Sequence, residues 1–310
     1  MKTTKLSLAL AGLMIASSII VTSCKKKDNT TATDSDTSAA ADHTMAENTA
    51  SDVGNMVAEA SEQGSLSSYR LGSGQESVSA ISCATMTYDT INKIITANFG
   101  AATSPSTCLD GRTRSGSLTF NYSASPTGAN HYRNPGFTCT VSSQNYIVDG
   151  NAVTINKTIL NTTSPTFNST TTNMTWSITA SVSIVKASNG GTVTWNCNRV
   201  KTLLNTSDAN VYHGQATHIT WSSAKVGLTG SATGTTASGS SFTANINSQL
   251  VRDLSCAPDA NRPGRHPFIQ GDIDFTPGTK ATRHIDYGSG TCDLAATVTI
   301  NGVSYPITLP

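Results

Sequence analysis

The densest set of groups able to do chemistry lies near the C-terminus: Arg262, Arg265, His266, Asp272, Asp274, Arg283, His284 and Asp286. Cleaving a glycosidic bond needs two carboxyl groups, one as acid and one as base or nucleophile, and Asp272 with Asp274 or Asp286 would supply them. His266 and His284 would supply imidazole ligands. The same stretch, however, alternates: Ile273, Phe275, Ile285 and Tyr287 share one parity. On paired strands those residues turn inward, which leaves the aspartates and His284 on a solvated face. Pro277-Gly278 marks the turn between the strands. A three-residue loop, Pro277 to Thr279, keeps the apolar residues together and sets Asp272 opposite His284. Such an exposed pair is worth at most about 1 kcal/mol.

The remaining chemistry is sparse. The chain has no Gly-x-Ser-x-Gly elbow, no His-Glu-x-x-His, no phosphate-cradling glycine loop and no dinucleotide fingerprint. His213 and His218 lie five apart, so on one strand they face opposite ways. No Cys-x-x-Cys occurs, and no metal or cofactor is predicted. Trp176, Trp195 and Trp221 could stack on a sugar, but Trp176 and Trp195 fall on apolar strand faces and are assigned to the core. A non-catalytic structural or binding role, with a glycan or protein as partner, is therefore expected. The alternative is a hydrolase of envelope polysaccharide using the C-terminal carboxylates.

The elements that must position these residues are strands. Trp176, Ile178, Ala180, Val182 and Ile184 alternate with Thr and Ser; Val193, Trp195 and Cys197 alternate with Thr and Asn. Phe242, Ala244, Ile246, Ser248 and Leu250 repeat the pattern. Each strand has one apolar face and one lined with hydroxyls and amides, as in an antiparallel sheet packed on one side. Asp149-Gly150 and Asn301-Gly302 are two-residue hairpin turns, and Asn189-Gly190-Gly191 marks another. The Asn301 turn places Ile300 opposite Val303 and Val298 opposite Tyr305. The fold expected is all-β: a meander of roughly a dozen strands closed as a sandwich or an open barrel. Residues 76–310 carry fourteen basic and eleven acidic residues, scattered rather than striped, which argues against nucleic acid.

Six cysteines, Cys83, Cys108, Cys139, Cys197, Cys256 and Cys292, belong to this region. They allow fifteen pairings, and spacing alone does not choose among them. A weak internal repeat does: Ile81-Ser82-Cys83 is echoed by Leu254-Ser255-Cys256, and Phe99-Gly100 before Cys108 by Tyr287-Gly288 before Cys292. It predicts Cys83–Cys108 and Cys256–Cys292, and by elimination Cys139–Cys197.

The N-terminus reads as an export signal. Lys2 and Lys5 precede an apolar stretch, Leu6 to Val21, too short and too interrupted for a resident membrane helix. Val21-Thr22-Ser23-Cys24 resembles the bacterial lipobox, which implies cleavage after residue 23 and a lipid on Cys24. Lys25, following at once, favours the outer membrane by resemblance to the known sorting pattern. Residues 24–75 are expected to form an acidic, disordered tether, since 28–75 hold eight acidic residues against one basic, with the fold beginning near Val78. The competing reading is a helix over Met45–Gln63, rich in Ala, Glu and Met. Asp89-Thr90-Ile91 resembles an O-glycosylation acceptor of some Gram-negative envelopes. Ser82-Cys83-Ala84-Thr85, Asp110-Gly111-Arg112-Thr113-Arg114-Ser115-Gly116 and Asp286-Tyr287-Gly288-Ser289-Gly290-Thr291-Cys292-Asp293 are similar to stretches shared by a set of uncharacterised bacterial lipoproteins. That resemblance implies a β-rich ectodomain held to the membrane through its lipid, and carries no activity.

Overall fold

A computed structural model describes residues 37–64, 81–108, 110–214, 219–260 and 266–309. The expected signal peptide, Cys24 and the expected domain start near Val78 lie outside them. One helix, α1 (Ser38–Gly64), precedes fourteen strands. These are β1 (Thr85–Asp89), β2 (Ile94–Asn98), β3 (Ser106–Thr107), β4 (Thr113–Asn121), β5 (Thr138–Val148), β6 (Asn151–Asn161) and β7 (Met174–Val185). Then come β8 (Thr192–Leu203), β9 (Lys225–Thr235), β10 (Ser241–Asp253), β11 (Gln270–Pro277), β12 (Arg283–Ser289), β13 (Ala295–Ile300) and β14 (Val303–Thr308). All belong to one antiparallel meander sheet that runs in chain order and does not close; β3 pairs only with β4.

The period of two holds. Trp176, Ile178, Ala180, Val182 and Ile184 point inward, as do Val193, Trp195, Phe242 and Ala244. Asp149 and Gly150 take φ of 49° and 79°, Asn301 and Gly302 of 51° and 79°, the left-handed pair that a two-residue turn requires. Ile300 faces Val303 and Val298 faces Tyr305. The outward residues form continuous rows. One runs through ten strands as Thr87, Thr96, Thr119, Ser142, Asn156, Ser181, Asn196, Thr233, Thr243 and Thr276. The exterior is thus a lattice of hydroxyls and amides.

The expected tether is corrected over residues 38–64, which form α1 and pack inside the sheet. Between Ser38 and Ser61 only Ser38, Ala41 and Asn55 are exposed. Twenty-seven helical residues span about 40 Å, the length of a twelve-residue strand such as β7 or β8. Ala46, Ala50, Val53, Met56, Val57 and Ala60 are buried against the strands. The acidic residues that suggested a solvated linker instead meet inward-facing cations. Asp42 pairs with Lys186 (2.8 Å), Glu47 with Arg199 (2.6 Å), and Asp52 with Arg114 (2.6 Å) and Arg112 (3.3 Å). Arg114 also binds Asp110 at 2.5 Å and Tyr146 Oη at 3.2 Å.

Cys83–Cys108 and Cys256–Cys292 are bonded, with Cα separations of 4.7 and 5.6 Å. The third pairing is corrected: Cys139 and Cys197 are free thiols. Cys139 stands level with Ile159, Ile178 and Arg199, so three strand spacings separate it from β8. That is about 14 Å, twice what a disulfide spans. Burial raises the Cys139 thiol to about 12 and the Cys197 thiol to about 11. Iodoacetamide should leave both unlabelled in the folded protein and label both after unfolding without reductant, read by peptide mass spectrometry. Recovery of a Cys139–Cys197 cross-linked peptide would contradict this.

Glu47 and Arg199 are both buried, so removing one charge strands the other. Glu47→Gln should cost about 3–5 kcal/mol in urea unfolding, and adding Arg199→Met should restore a large part of it. A Glu47→Gln protein within about 0.5 kcal/mol of wild type would show that the helix does not depend on the pair.

Candidate functional site

The C-terminal polar residues assemble on the outside. Ile273, Phe275, Ile285 and Tyr287 are buried, and His284 and Asp286 are exposed. The register differs from expectation by one pair: Asp274 faces His284, Asp272 faces Asp286, and Phe275 faces Arg283. The reason is Pro277, which stays in β11 opposite Phe242 and leaves Gly278, Thr279 and Lys280 as the loop. The Pro277 carbonyl accepts the Lys280 N–H at 3.0 Å, and Gly278 takes a φ of 55°. His284 Nδ1 lies 2.9 Å from Asp274 Oδ1 and 3.9 Å from Asp272 Oδ1. His284 and Asp286 are open to solvent, and Asp272 and Asp274 are half-buried beside them. Arg283, grouped with them by sequence, shares the parity of Ile285 and is buried. Arg262, Arg265 and His218 lie outside the described residues, and His213 bonds Thr220 Oγ1 at 2.9 Å. Among the described residues no group of His, Cys, Asp and Glu is placed to hold a metal.

The charged groups that do converge are interior ones, which the sequence reading passed over. Lys157, Arg199, Lys201 and Arg252 occupy inward positions on β6, β8 and β10. Lys157 Nζ donates to the Ala50 carbonyl at 2.5 Å. Gly54 lies beside it because a Cβ there would come within 2.7 Å of that nitrogen. Arg252 donates to Ser51 Oγ (2.8 Å) and Asn48 Oδ1 (2.9 Å) and stacks on Phe268 at 4.0 Å. Lys201 Nζ is enclosed by Tyr132, Trp176 and Trp221, whose ring centres lie 5.2, 5.6 and 4.8 Å away. Cation–π attraction thus replaces a counter-ion there. Two of the three tryptophans considered as a sugar platform therefore serve Lys201. The third, Trp195, donates through Nε1 to His43 Nδ1 at 3.2 Å.

These groups border two neighbouring spaces. A cleft of about 340 Å³ runs between α1, the loop before β4, and β10–β12; His43, Asp110, Arg112, Arg252, His266 and Tyr287 line it. A smaller cavity of about 60 Å³, lined by Lys157, Cys197, Arg199, Lys201 and Arg252, adjoins it through Arg252 and Phe268. Burial sets the protonation states. It drops His43 to about 4, so the imidazole is neutral and accepts the Trp195 proton. Burial pulls Lys157 down to about 8, and burial with Lys157 and Arg252 nearby pulls Lys201 to about 7. For Glu47 burial acts upward, but the charge and hydrogen bond of Arg199 act against it, and the carboxyl stays below its ordinary range. No group here is aligned as a nucleophile with a base. The arrangement can hold negative charge.

No protein-family model, curated protein or solved structure matches the chain, so the site is read from its geometry.

The lowered lysines fix a pH dependence. An unfolded chain keeps each lysine protonated to about 10.4, whereas folded Lys201 releases its proton near 7. Between those values the unfolded state binds more protons, so stability rises with pH. In low-salt zwitterionic buffer, stability relative to Lys201→Met should grow from pH 7 to 9.5 by about 1 kcal/mol per unit. Urea unfolding at four pH values reads it. Parallel curves for the two proteins would contradict a lysine held neutral by burial.

Proposed function

We propose that the chain is a lipid-anchored protein of the outer membrane whose β domain is a non-catalytic module that binds an envelope glycan or protein. The observation that carries the reading is the distribution of polarity. Rows of Thr, Ser and Asn cover the outer face of the sheet across ten strands, while α1 fills the inner face. A sheet spanning a bilayer needs the opposite, an apolar exterior. Such a domain belongs in water and must be held to a membrane by something else, the lipid on Cys24.

The position of α1 sets the reach. Residues 25–37 separate Cys24 from the helix, and fully extended they could cover at most about 45 Å. Asp42, near the start of α1, touches Lys186 and the Ala237 N–H, which belong to tight turns. Ser61, near its end, accepts from the Tyr132 N–H in a long connection. The hydrolase alternative requires Asp272, Asp274 and Asp286 to share a cleft, and they stand on an open face.

The test is fractionation of cells carrying the full chain or Cys24→Ala. The wild type should remain with membranes and the variant should be soluble. Equal membrane retention, or equal labelling by a fatty-acid analogue, would overturn the anchor. The soluble variant should then retain a glycan or protein from envelope extract. A polysaccharide shortened on incubation would instead restore the hydrolase.

A further inference from the structure

The small cavity carries a surplus of positive charge that nothing in the described structure neutralises. The carboxylates that α1 turns toward the sheet are already engaged: Asp42 by Lys186, Glu47 by Arg199, Asp52 by Arg114. Lys157, Lys201 and Arg252 therefore line the cavity with no carboxylate partner among the described residues, and Glu47 is the lone acid in its wall. Hydrogen-bond donors are in surplus too. Arg199 is 2% exposed, yet its Nε and Nη1 have no acceptor, and neither has the buried Nε of Arg252. A lysine can escape burial by losing its proton; a guanidinium cannot. Buried donors in native structures almost always find an acceptor, so one is expected here. Water could satisfy the donors but would leave the charge.

We infer that this cavity is a binding site for a small monovalent anion: a halide, nitrate or formate-sized carboxylate. Size supports the class. One water needs roughly 10–15 Å³ of such space, and the cavity offers about 60 Å³, room for one small anion and a few waters. The adjoining cleft, shared at Arg252 and Phe268, is the way in. The anion accepts from Arg199 and Arg252, and its charge favours the protonated forms of the neighbouring Lys157 and Lys201. The site does not depend on the membrane reading, and stands whether or not Cys24 carries lipid.

The experiment is thermal unfolding of the full chain at fixed ionic strength, with gluconate, too large to enter, progressively replaced by chloride, nitrate or formate. At least one should give a saturable rise in Tm of about 3–6 °C. Lys201→Met, which forfeits only a long hydrogen bond to Tyr132 Oη (3.4 Å), should weaken the apparent affinity about tenfold or more. Arg252→Met should do the same, and decides the matter if the first variant fails to fold. Lys93→Met, distant from the cavity, should leave the titration unchanged. Bromide diffused into crystals should give an anomalous peak between Arg199 and Arg252. A Tm that tracks ionic strength alone, variants that keep the wild-type titration, or bromide found only on the surface would each overturn the site.

Discussion

The fold rests on matching charges across the surface between α1 and the sheet. By itself the helix has little to hold it: its buried apolar residues are mostly alanines, and helices without tertiary packing are marginal in water. Alanines slide easily. The carboxylates do not, because Asp42, Glu47 and Asp52 are each five residues apart and each step turns the helix by about 140°. They reach different parts of the sheet, the β7–β8 turn, β8 and β4. Three such contacts fix both the height of the helix and its rotation. Buried ion pairs are poor sources of net stability, since desolvation offsets their attraction. Their effect here is to specify one register for an otherwise featureless helix.

The dependence runs both ways. A curled sheet with Arg114, Lys157 and Arg199 on its inner face could not close over apolar residues alone, because Arg199 would lose its carboxylate, Arg114 one of its two, and Lys157 the Ala50 carbonyl. The small helix residues allow the approach that pairing needs; Gly54 leaves the space that Lys157 Nζ occupies. The polarity of a soluble β domain is thus partly inverted. Ions sit inside, and the exterior is mostly neutral hydroxyls and amides.

The strands were legible in the sequence because alternation and the Asp-Gly and Asn-Gly turns are local signals, each sufficient without tertiary context. The Pro277 hairpin was legible in parity but not in register, since whether a proline ends a strand or begins a turn depends on its neighbour, here Phe242. The helix was obscured by composition. Its acidic, alanine-rich segment lacks the apolar surface of an ordinary core helix, although Ala39, His43, Ala46, Ala50, Val53, Val57 and Ala60 follow a spacing of four and three. The interior site was legible in principle. Lys157 interrupts Val153, Ile155 and Ile159 at their own parity, and Arg199 and Lys201 continue Val193, Trp195 and Cys197. A charged residue at an inward position announces a buried partner. What the sequence cannot supply is the partner's identity, because α1 lies a hundred or more residues away. The elimination that paired Cys139 with Cys197 failed for a related reason: residue bookkeeping carries no lateral distance across a sheet.

An open sheet has two free edges, and these must not recruit further strands if the cleft is to stay accessible. β1 is only five residues long and ends at Asp89, whose carboxylate turns back to bind the Ile91 and Asn92 N–H groups. β14 carries Pro306, which has no N–H to offer a neighbour. Short length and proline are the ordinary means of blunting an edge. With the edges closed to pairing and the interior held by the helix, the sheet can remain unsealed. The cleft bordered by α1 then remains beside the cation-lined interior, with Arg252 and Phe268 in the walls of both.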